Sequence, residues 1–147
     1  YLSKVYSDKT VCGLDKIRDD EDTVFIFEGP IDSFFIKNGM GLAGITEGKE
    51  SLTITQEDQL NSLQFFKKIW VLDSQWLDKA SREKTKILLE QGETVFIWPK
   101  KYGKDFKDIN ELCVHHELDQ ISPKFVKENS TQGKGAILKF NMTFGKL

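Results

Sequence analysis

Three carboxylates lie at or just beyond the ends of apolar segments: Glu28, Asp73 and Asp108. If those segments are parallel strands of an open α/β sheet, their carboxyl ends meet at one edge, which is where such sheets bind ligands. Carboxylates held close together repel one another unless a cation lies between them, and hard oxygen ligands suit Mg²⁺ or Mn²⁺. The pattern predicts a divalent-metal site. The alternative is that each acid only marks where its strand leaves the sheet for solvent.

Basic residues crowd the segment that leads into Asp108: Lys100, Lys101, Lys104 and Lys107. Lysines contact the phosphates of nucleotides and of nucleic-acid backbones, so this segment is a candidate nucleotide or nucleic-acid contact beside the acids. Trp76 and Tyr102 are candidate stacking partners for bases, although the sequence favours an ordinary, partly exposed aromatic residue at each position. A solvated basic loop is the alternative, and the sequence does not separate the two.

Short apolar runs alternate with helical segments along the middle of the chain. The predicted strands are 23–27, 41–45, 69–72 and 94–98. The predicted helices are 31–37, 56–65, 78–91 and 108–117, with a further one starting at Ser122-Pro123. This order is typical of an α/β protein, here with a four-stranded, mainly parallel central sheet and helices on both faces.

The sequence divides into a central domain and two flanks. We expect residues 1–22 to form an N-terminal flank, 23–118 the domain, and 119–147 an extension that packs on the domain or follows it. Within the extension, residues 136–144 show an imperfect alternation of apolar side chains, which predicts a strand. The chain begins without an initiator Met, which suggests a piece of a longer protein.

Composition indicates an ordinary globular domain. The 147 residues are 39% hydrophobic and 30% charged, with a net charge of −2, so any contact with nucleic acid is local rather than the work of a global basic field. No apolar run approaches the roughly 20 residues that span a bilayer, and we expect a soluble, cytoplasmic protein, in the host cytoplasm if it is phage-encoded. Cys12 and Cys113 are too far apart in sequence to indicate a zinc site or a disulfide framework.

Three motifs give the acids a family context. EGPID at 28–32, DSQ at 73–75 and KDINE at 107–111 occur in this order, and over residues 23–117 the chain resembles the toprim domains of bacterial and phage DNA primases and phage helicase-primases. The resemblance implies an enzyme that joins ribonucleotides into RNA primers on single-stranded DNA with Mg²⁺ or Mn²⁺. A replicative helicase and a zinc-binding domain are the partners that it implies elsewhere in a full protein.

The same resemblance implies roles for individual residues. Glu28 is expected to be a metal ligand or acid/base group, and Asp73 and Asp108 are expected to be metal ligands. The family's central motif is Asp-x-Asp, whereas Gln75 stands at the second acidic position, so its amide oxygen is expected to be an auxiliary ligand. Asp78 is an alternative replacement for the missing acid, and it is equally explained as a helix N-cap.

Two other functions stay open at this stage. A toprim nuclease would use the same metal cluster with water in place of the attacking 3′-hydroxyl. A non-catalytic toprim module that binds nucleic acid or protein is the third possibility, and the neutral Gln75 favours it. The primase-like motifs EGPID and KDINE argue against a binding module.

Overall fold

The computed structural model describes residues 11–42 and 54–145. The strands in these ranges are β1 (Val11–Cys12), β2 (Thr23–Phe27), β3 (Gly39–Leu42), β4 (Lys67–Val71), β5 (Thr94–Phe96) and β6 (Ser130–Thr131). The α-helices are α1 (Ile54–Asn61), α2 (Lys79–Glu90), α3 (Lys100–Gly103), α4 (Ile109–His115), α5 (Pro123–Glu128) and α6 (Lys134–Phe144). Short 3₁₀ helices cover Leu14–Lys16 and Asp32–Phe35.

All six strands belong to one mixed sheet in the order β1-β3-β2-β4-β5-β6. The four central strands run parallel, and the two edge strands pair antiparallel to their neighbours. The predicted α/β class is therefore confirmed, but four strands was too low a count. The two additional strands are two residues long, and a segment that short carries no readable alternation of apolar and polar residues.

Strand β2 lies at the centre of the protein, and all five of its residues are buried. Val24 and Ile26 face a core built with α1, α2 and α6, whereas Phe25 and Phe27 face a second core built with α4 and α5. A strand covered on both faces reads as a continuous apolar run, which is what the sequence shows. Helices pack on both faces of the sheet, as predicted.

The C-terminal segment is a helix, so the strand predicted for residues 136–144 was wrong. Ala136 and Phe140 are four residues apart and both are buried, while Ile137 and Phe144 pack beside them. This is the spacing of one helical face, and it competes with the imperfect two-residue alternation on which the prediction relied. No helix among the described residues is long and apolar enough to cross a bilayer.

Several other boundaries differ from the predictions. The predicted helix 31–37 is only the 3₁₀ turn Asp32–Phe35, and the expected basic loop begins with the short helix α3. Helix α1 includes two residues before the predicted start at 56, and it ends at Asn61 rather than at residue 65. The predicted second strand 41–45 is observed as β3, and residues 43–45 and the predicted polar loop 47–51 lie outside the described residues.

Both flanks contribute to the same sheet. β1 comes from the predicted N-terminal flank and pairs with β3, and β6 comes from the predicted extension and pairs with β5. The division into 1–22, 23–118 and 119–147 stays a prediction.

Candidate metal centre

Three aspartates converge at the carboxyl edge of the parallel strands. Asp73 lies two residues after the end of β4, Asp32 opens the 3₁₀ turn that follows β2, and Asp108 is the N-cap of α4. One carboxylate oxygen from each lies within 4.8 Å of the other two. β2 and β4 are paired neighbours with Phe27 opposite Val71, so the sheet brings the first two acids together.

Backbone contacts fix two of these acids. Oδ1 of Asp32 accepts a hydrogen bond of 2.9 Å from the backbone N–H of Asn110, and Oδ1 of Asp108 accepts one of 2.8 Å from that of Glu111. Asp32 is therefore tied to the first turn of the helix that Asp108 caps. Gly41 on β3 allows the segment that leads to Asp32 to pack against this strand, because a Cβ at Gly41 would lie 2.5 Å from the Cα of Pro30.

The loop that carries Asp73 is fastened to the lysine segment. The backbone N–H of Ser74 donates to the carbonyl oxygen of Lys107 at 2.7 Å, and the Ser74 hydroxyl donates to that of Gly103 at 2.6 Å. The Ser81 hydroxyl, on α2, donates to the Asp73 carbonyl oxygen. The peptide group that joins Asp73 to Ser74 is thus held by α2 on its carbonyl side and by the lysine segment on its N–H side, so the position of the acid depends on how both pack.

The aspartates are poorly compensated by positive charge. Burial, together with the charges of Glu28, Asp108 and Asp32, raises the pKa of Asp73 to about 7 against the opposing effect of Lys107. Burial also raises the pKa of Asp32 to about 6, despite its bond from Asn110. None of the three aspartates forms an ion pair with the residues that the structure describes. A bound cation would relieve their mutual repulsion.

Glu28 lies beside this cluster and faces a different partner. Its carboxylate accepts a bond of 2.9 Å from Lys84 on α2, and about a quarter of each side chain is exposed. Its charge nevertheless raises the pKa of both Asp32 and Asp73. The structure thus brings Glu28 close to the predicted site, although it is not one of the three acids whose oxygens converge.

Gln75 points into the protein interior. The side chain is fully buried, and its amide nitrogen donates to the Thr85 hydroxyl at 3.1 Å and to the carbonyl oxygen of Phe96 at 3.0 Å. Its amide oxygen accepts a bond of 3.1 Å from the backbone N–H of Trp98. These bonds account for the amide's hydrogen-bonding groups by joining the Asp73 loop to β5. We therefore leave Gln75 out of the candidate ligand set.

The four predicted phosphate contacts are exposed on the segment beside the acids: Lys100, Lys101, Lys104 and Lys107. None of them forms an ion pair within residues 11–42 and 54–145. Lys107 is close enough to oppose the raised pKa of Asp73. Lys107 thus lies near the aspartates, and no described carboxylate neutralises any of the four lysines.

Asp32 is the acid that sequence reasoning left out of the site. The signal was present, because the EGPID motif ends on it, but it lies in a helical turn rather than at a strand end. Asp78, the alternative replacement for the missing acid, is the N-cap of α2 and accepts a bond from the N–H of Ala80. Cys113 is fully buried, and burial raises its pKa to about 11, which agrees with a packing role.

The three carboxylates fit a Mg²⁺-sized cation. Adjacent ligands of an octahedral Mg²⁺ are about 3.0 Å apart and opposite ligands about 4.2 Å apart, since each metal–oxygen distance is about 2.1 Å. The aspartate oxygens lie within 4.8 Å of one another, so their side chains would move inward to bind one ion together. An all-oxygen, anionic donor set suits Mg²⁺ or Mn²⁺ rather than a thiophilic metal.

Comparison with known proteins points in one direction. No protein-family model matches the sequence. The chain is similar to the DNA primase of Enterobacteria phage T4, with 28% identity over 133 residues. The alignment covers 89% of this chain and 35% of that primase, so the chain spans about a third of its relative's length.

Proposed function

We propose that this chain is the metal-dependent nucleotidyl-transfer part of a phage-like DNA primase, with a toprim-type centre, which joins ribonucleotides into primers on single-stranded DNA. The observation that carries the proposal is the convergence of Asp32, Asp73 and Asp108 at the carboxyl edge of a parallel sheet. The similarity to a phage primase and the motifs EGPID and KDINE support it. Because the chain matches only part of that relative, the activity of a whole protein is included in the proposal.

The three aspartates would hold Mg²⁺ or Mn²⁺. When bound, the metal neutralises triphosphate charge and stabilises charge that develops during phosphoryl transfer. Glu28, which is paired with Lys84, would accept the proton of an attacking 3′-hydroxyl. Lys107 and the other lysines of its segment would bind nucleotide phosphates, since they are exposed and unpaired among the described residues.

The position of Asp32 bears on the two alternative functions, a non-catalytic binding module and a nuclease. The neutral Gln75 had favoured a non-catalytic binding module because it left the centre one acid short. With Asp32 counted, the cluster holds three converging carboxylates without Gln75, and that reason for a binding module is removed. A nuclease would use the same three acids and differs only in the attacking group, so it is the alternative that an activity assay must separate.

The test is ribonucleotide joining on single-stranded DNA with Mg²⁺ or Mn²⁺, run beside a nuclease assay on the same template. We expect metal-dependent formation of short RNA products, and a loss of at least about 100-fold in Asp73→Asn, because a ligand that stabilises transition-state charge is removed. The exposed Asp105→Asn serves as the matched control and should keep full activity.

Three other results would contradict the proposal in different ways. Metal-dependent shortening of the template without RNA products would support the nuclease. Binding of DNA without either reaction would support the binding module. Equal losses in Asp73→Asn and Asp105→Asn would remove the aspartate cluster from the reaction.

A further inference from the structure

A groove of about 400 Å³ opens where the chain leaves the carboxyl end of β5. One wall is Lys100 with the residues just beyond β5, the floor includes residues 129–131, and the other wall is α6 with Lys139 and Phe144. Since the first wall follows the carboxyl end of β5, the groove opens at the same edge of the sheet that carries Asp73. β5 is also the direct neighbour of β4, from which the Asp73 loop departs.

An aromatic contact connects the groove to the acids. Phe144 meets Trp76 edge-on, with ring centroids 4.8 Å apart, and Trp76 is three residues from Asp73. The indole N–H donates to the carbonyl oxygen of Trp98 at 2.7 Å, which fixes the ring against the groove wall. Lys104 Nζ lies 5.7 Å from the centre of the Trp76 ring. Phe144, Trp76 and Lys104 therefore form one partly exposed surface of successive contacts, which leads from α6 toward the loop that carries Asp73.

The charge of this surface is positive although the chain as a whole is slightly negative. Lys100, Lys104 and Lys139 are exposed, and none of them forms an ion pair with a residue that the structure describes. Glu128 is also part of the groove lining, but its carboxylate lies 3.7 Å from Lys124, which partly offsets its charge. A polyanion is the ligand that matches such a surface.

We infer that a single strand of nucleic acid lies in this groove, between α6 and the lysine segment, and passes Trp76 to reach the aspartates. The inference rests on the proposed function, in which a single-stranded template is copied, and it names the surface that holds that strand. Proteins bind single strands with a basic groove along the backbone and aromatic rings that stack on bases. A duplex keeps its base faces stacked internally and gains nothing from the rings.

The test measures binding of a fluorescein-labelled oligothymidylate of about 12 nucleotides by anisotropy, within the usual site size for single strands. The full chain is used with EDTA and without nucleotides. We expect Lys139→Ala to weaken binding severalfold and to reduce the slope of log affinity against log salt by about 0.7, the value for one phosphate contact on a single strand. Lys134→Ala is the matched control, because it removes an exposed lysine from the same helix outside the groove, and its slope should equal that of the wild type.

A second measurement locates the strand. Photo-crosslinking with an oligonucleotide that contains iodouracil should modify Trp76 or Phe144, as identified by mass spectrometry. Crosslinks confined to other residues would overturn the inference. So would equal effects of Lys134→Ala and Lys139→Ala, or binding of a duplex of the same length as tight as that of the single strand.

These outcomes are independent of catalysis. Lys139-dependent binding in a chain that joins no nucleotides leaves the groove assignment standing and refutes the proposed function. If the chain joins nucleotides but Lys139→Ala binds the oligonucleotide as tightly as the wild type, the proposed function stands and the groove assignment is refuted.

Discussion

The two ends of the parallel strands carry acidic side chains in opposite electrostatic surroundings. Before β2, Asp22 receives a bond from the Thr23 hydroxyl and one of 3.1 Å from Lys127, and these contacts hold its pKa well below the usual range. Lys127 also contacts Glu21 at 2.6 Å. Beyond the strands, burial and neighbouring acids raise the pKa of Asp73 to about 7.

The two ends differ in whether nearby positive charges neutralise the acids, rather than in how many acids they carry. At the amino end each acid is exposed or faces a lysine, and such pairs are common surface features of small energetic value. At the carboxyl end the acids are partly buried and face one another, which costs stability unless something else is gained. An arrangement that destabilises the free protein is informative about function, because perturbed carboxylates in a cluster are typical of functional sites.

The largest effect that we expect comes from adding a carboxylate at position 75, in the loop that carries Asp73 at the carboxyl end of the strands. Gln75→Glu keeps the shape of the side chain but removes the donors to Thr85 and Phe96 and places a charge in a fully buried position. The free energy of unfolding at neutral pH should fall by about 3 kcal/mol or more, as measured by urea denaturation. Gln120→Glu, on an exposed residue, should be neutral.

The outcome for Gln75→Glu also tests the ligand role that the sequence suggested. If that variant keeps its stability and binds Mn²⁺ more tightly, the added acid has joined the metal site and the buried placement of Gln75 does not define its role. We expect the opposite, with stability lost and metal affinity unimproved.

A smaller effect is expected when the acid at the carboxyl end of the strands is neutralised, and none when an acid at the amino end is neutralised. Asp73→Asn should weaken Mn²⁺ binding at least tenfold, about 1.4 kcal/mol, in calorimetric titrations at neutral pH. Asp22→Asn is the matched control at the other end, and it should bind Mn²⁺ like the wild type because lysine already neutralises that site. Equal affinities in the two variants would erase the distinction between the ends.

The last effect is a change of stability with pH in metal-free protein. Asp73 has a pKa of about 7 in the folded chain and about 3.9 in an unfolded one, so the folded state binds its proton more tightly. The stability from this group is fully present below about pH 4 and is lost as pH rises toward 7. The melting temperature of the wild type, relative to Asp73→Asn, should therefore fall between about pH 4 and pH 7, and Mg²⁺ should reverse the fall.

Asp22 provides the opposite sign. Because its folded pKa is lowered, the stability that it contributes is present above its ordinary pKa and is lost as the pH falls below about 4. The melting temperature of the wild type relative to Asp22→Asn should thus decrease on acidification. If the relative melting temperature changes with pH in the same direction for both aspartates, the contrast between their electrostatic surroundings is contradicted.

The sequence was sufficient for features that depend on long apolar runs. The four central strands were predicted from such runs, whereas their order in the sheet was not. The N-cap role of Asp78 was one of two interpretations of that residue. It could be predicted because a local motif determines where a helix begins without reference to the rest of the chain. Features set by short pairings or by tertiary contacts were less accessible.

Asp32 and Gln75 show why the site was only partly predictable. Both lie in turns just beyond strands, where one residue of displacement decides whether a side chain faces the edge or the core. The backbone bonds of Asn110 and Trp98 decide these two cases, and both donors are distant in sequence. Motif spacing indicated that acids gather at this edge, but not which of the neighbouring polar residues turn toward it.

The two-residue edge strands also bear on how the protein behaves at high concentration. Among the residues that the structure describes, the register of β1 covers Gly41 and Leu42 of β3, and that of β6 covers Val95 and Phe96 of β5. Each blocks part of an edge at which another chain could otherwise add a strand, and their shortness and antiparallel direction make them poor templates themselves. Weakening either pairing would expose a buried parallel strand, so we expect aggregation, rather than loss of secondary structure, to be the first sign of damage at these edges.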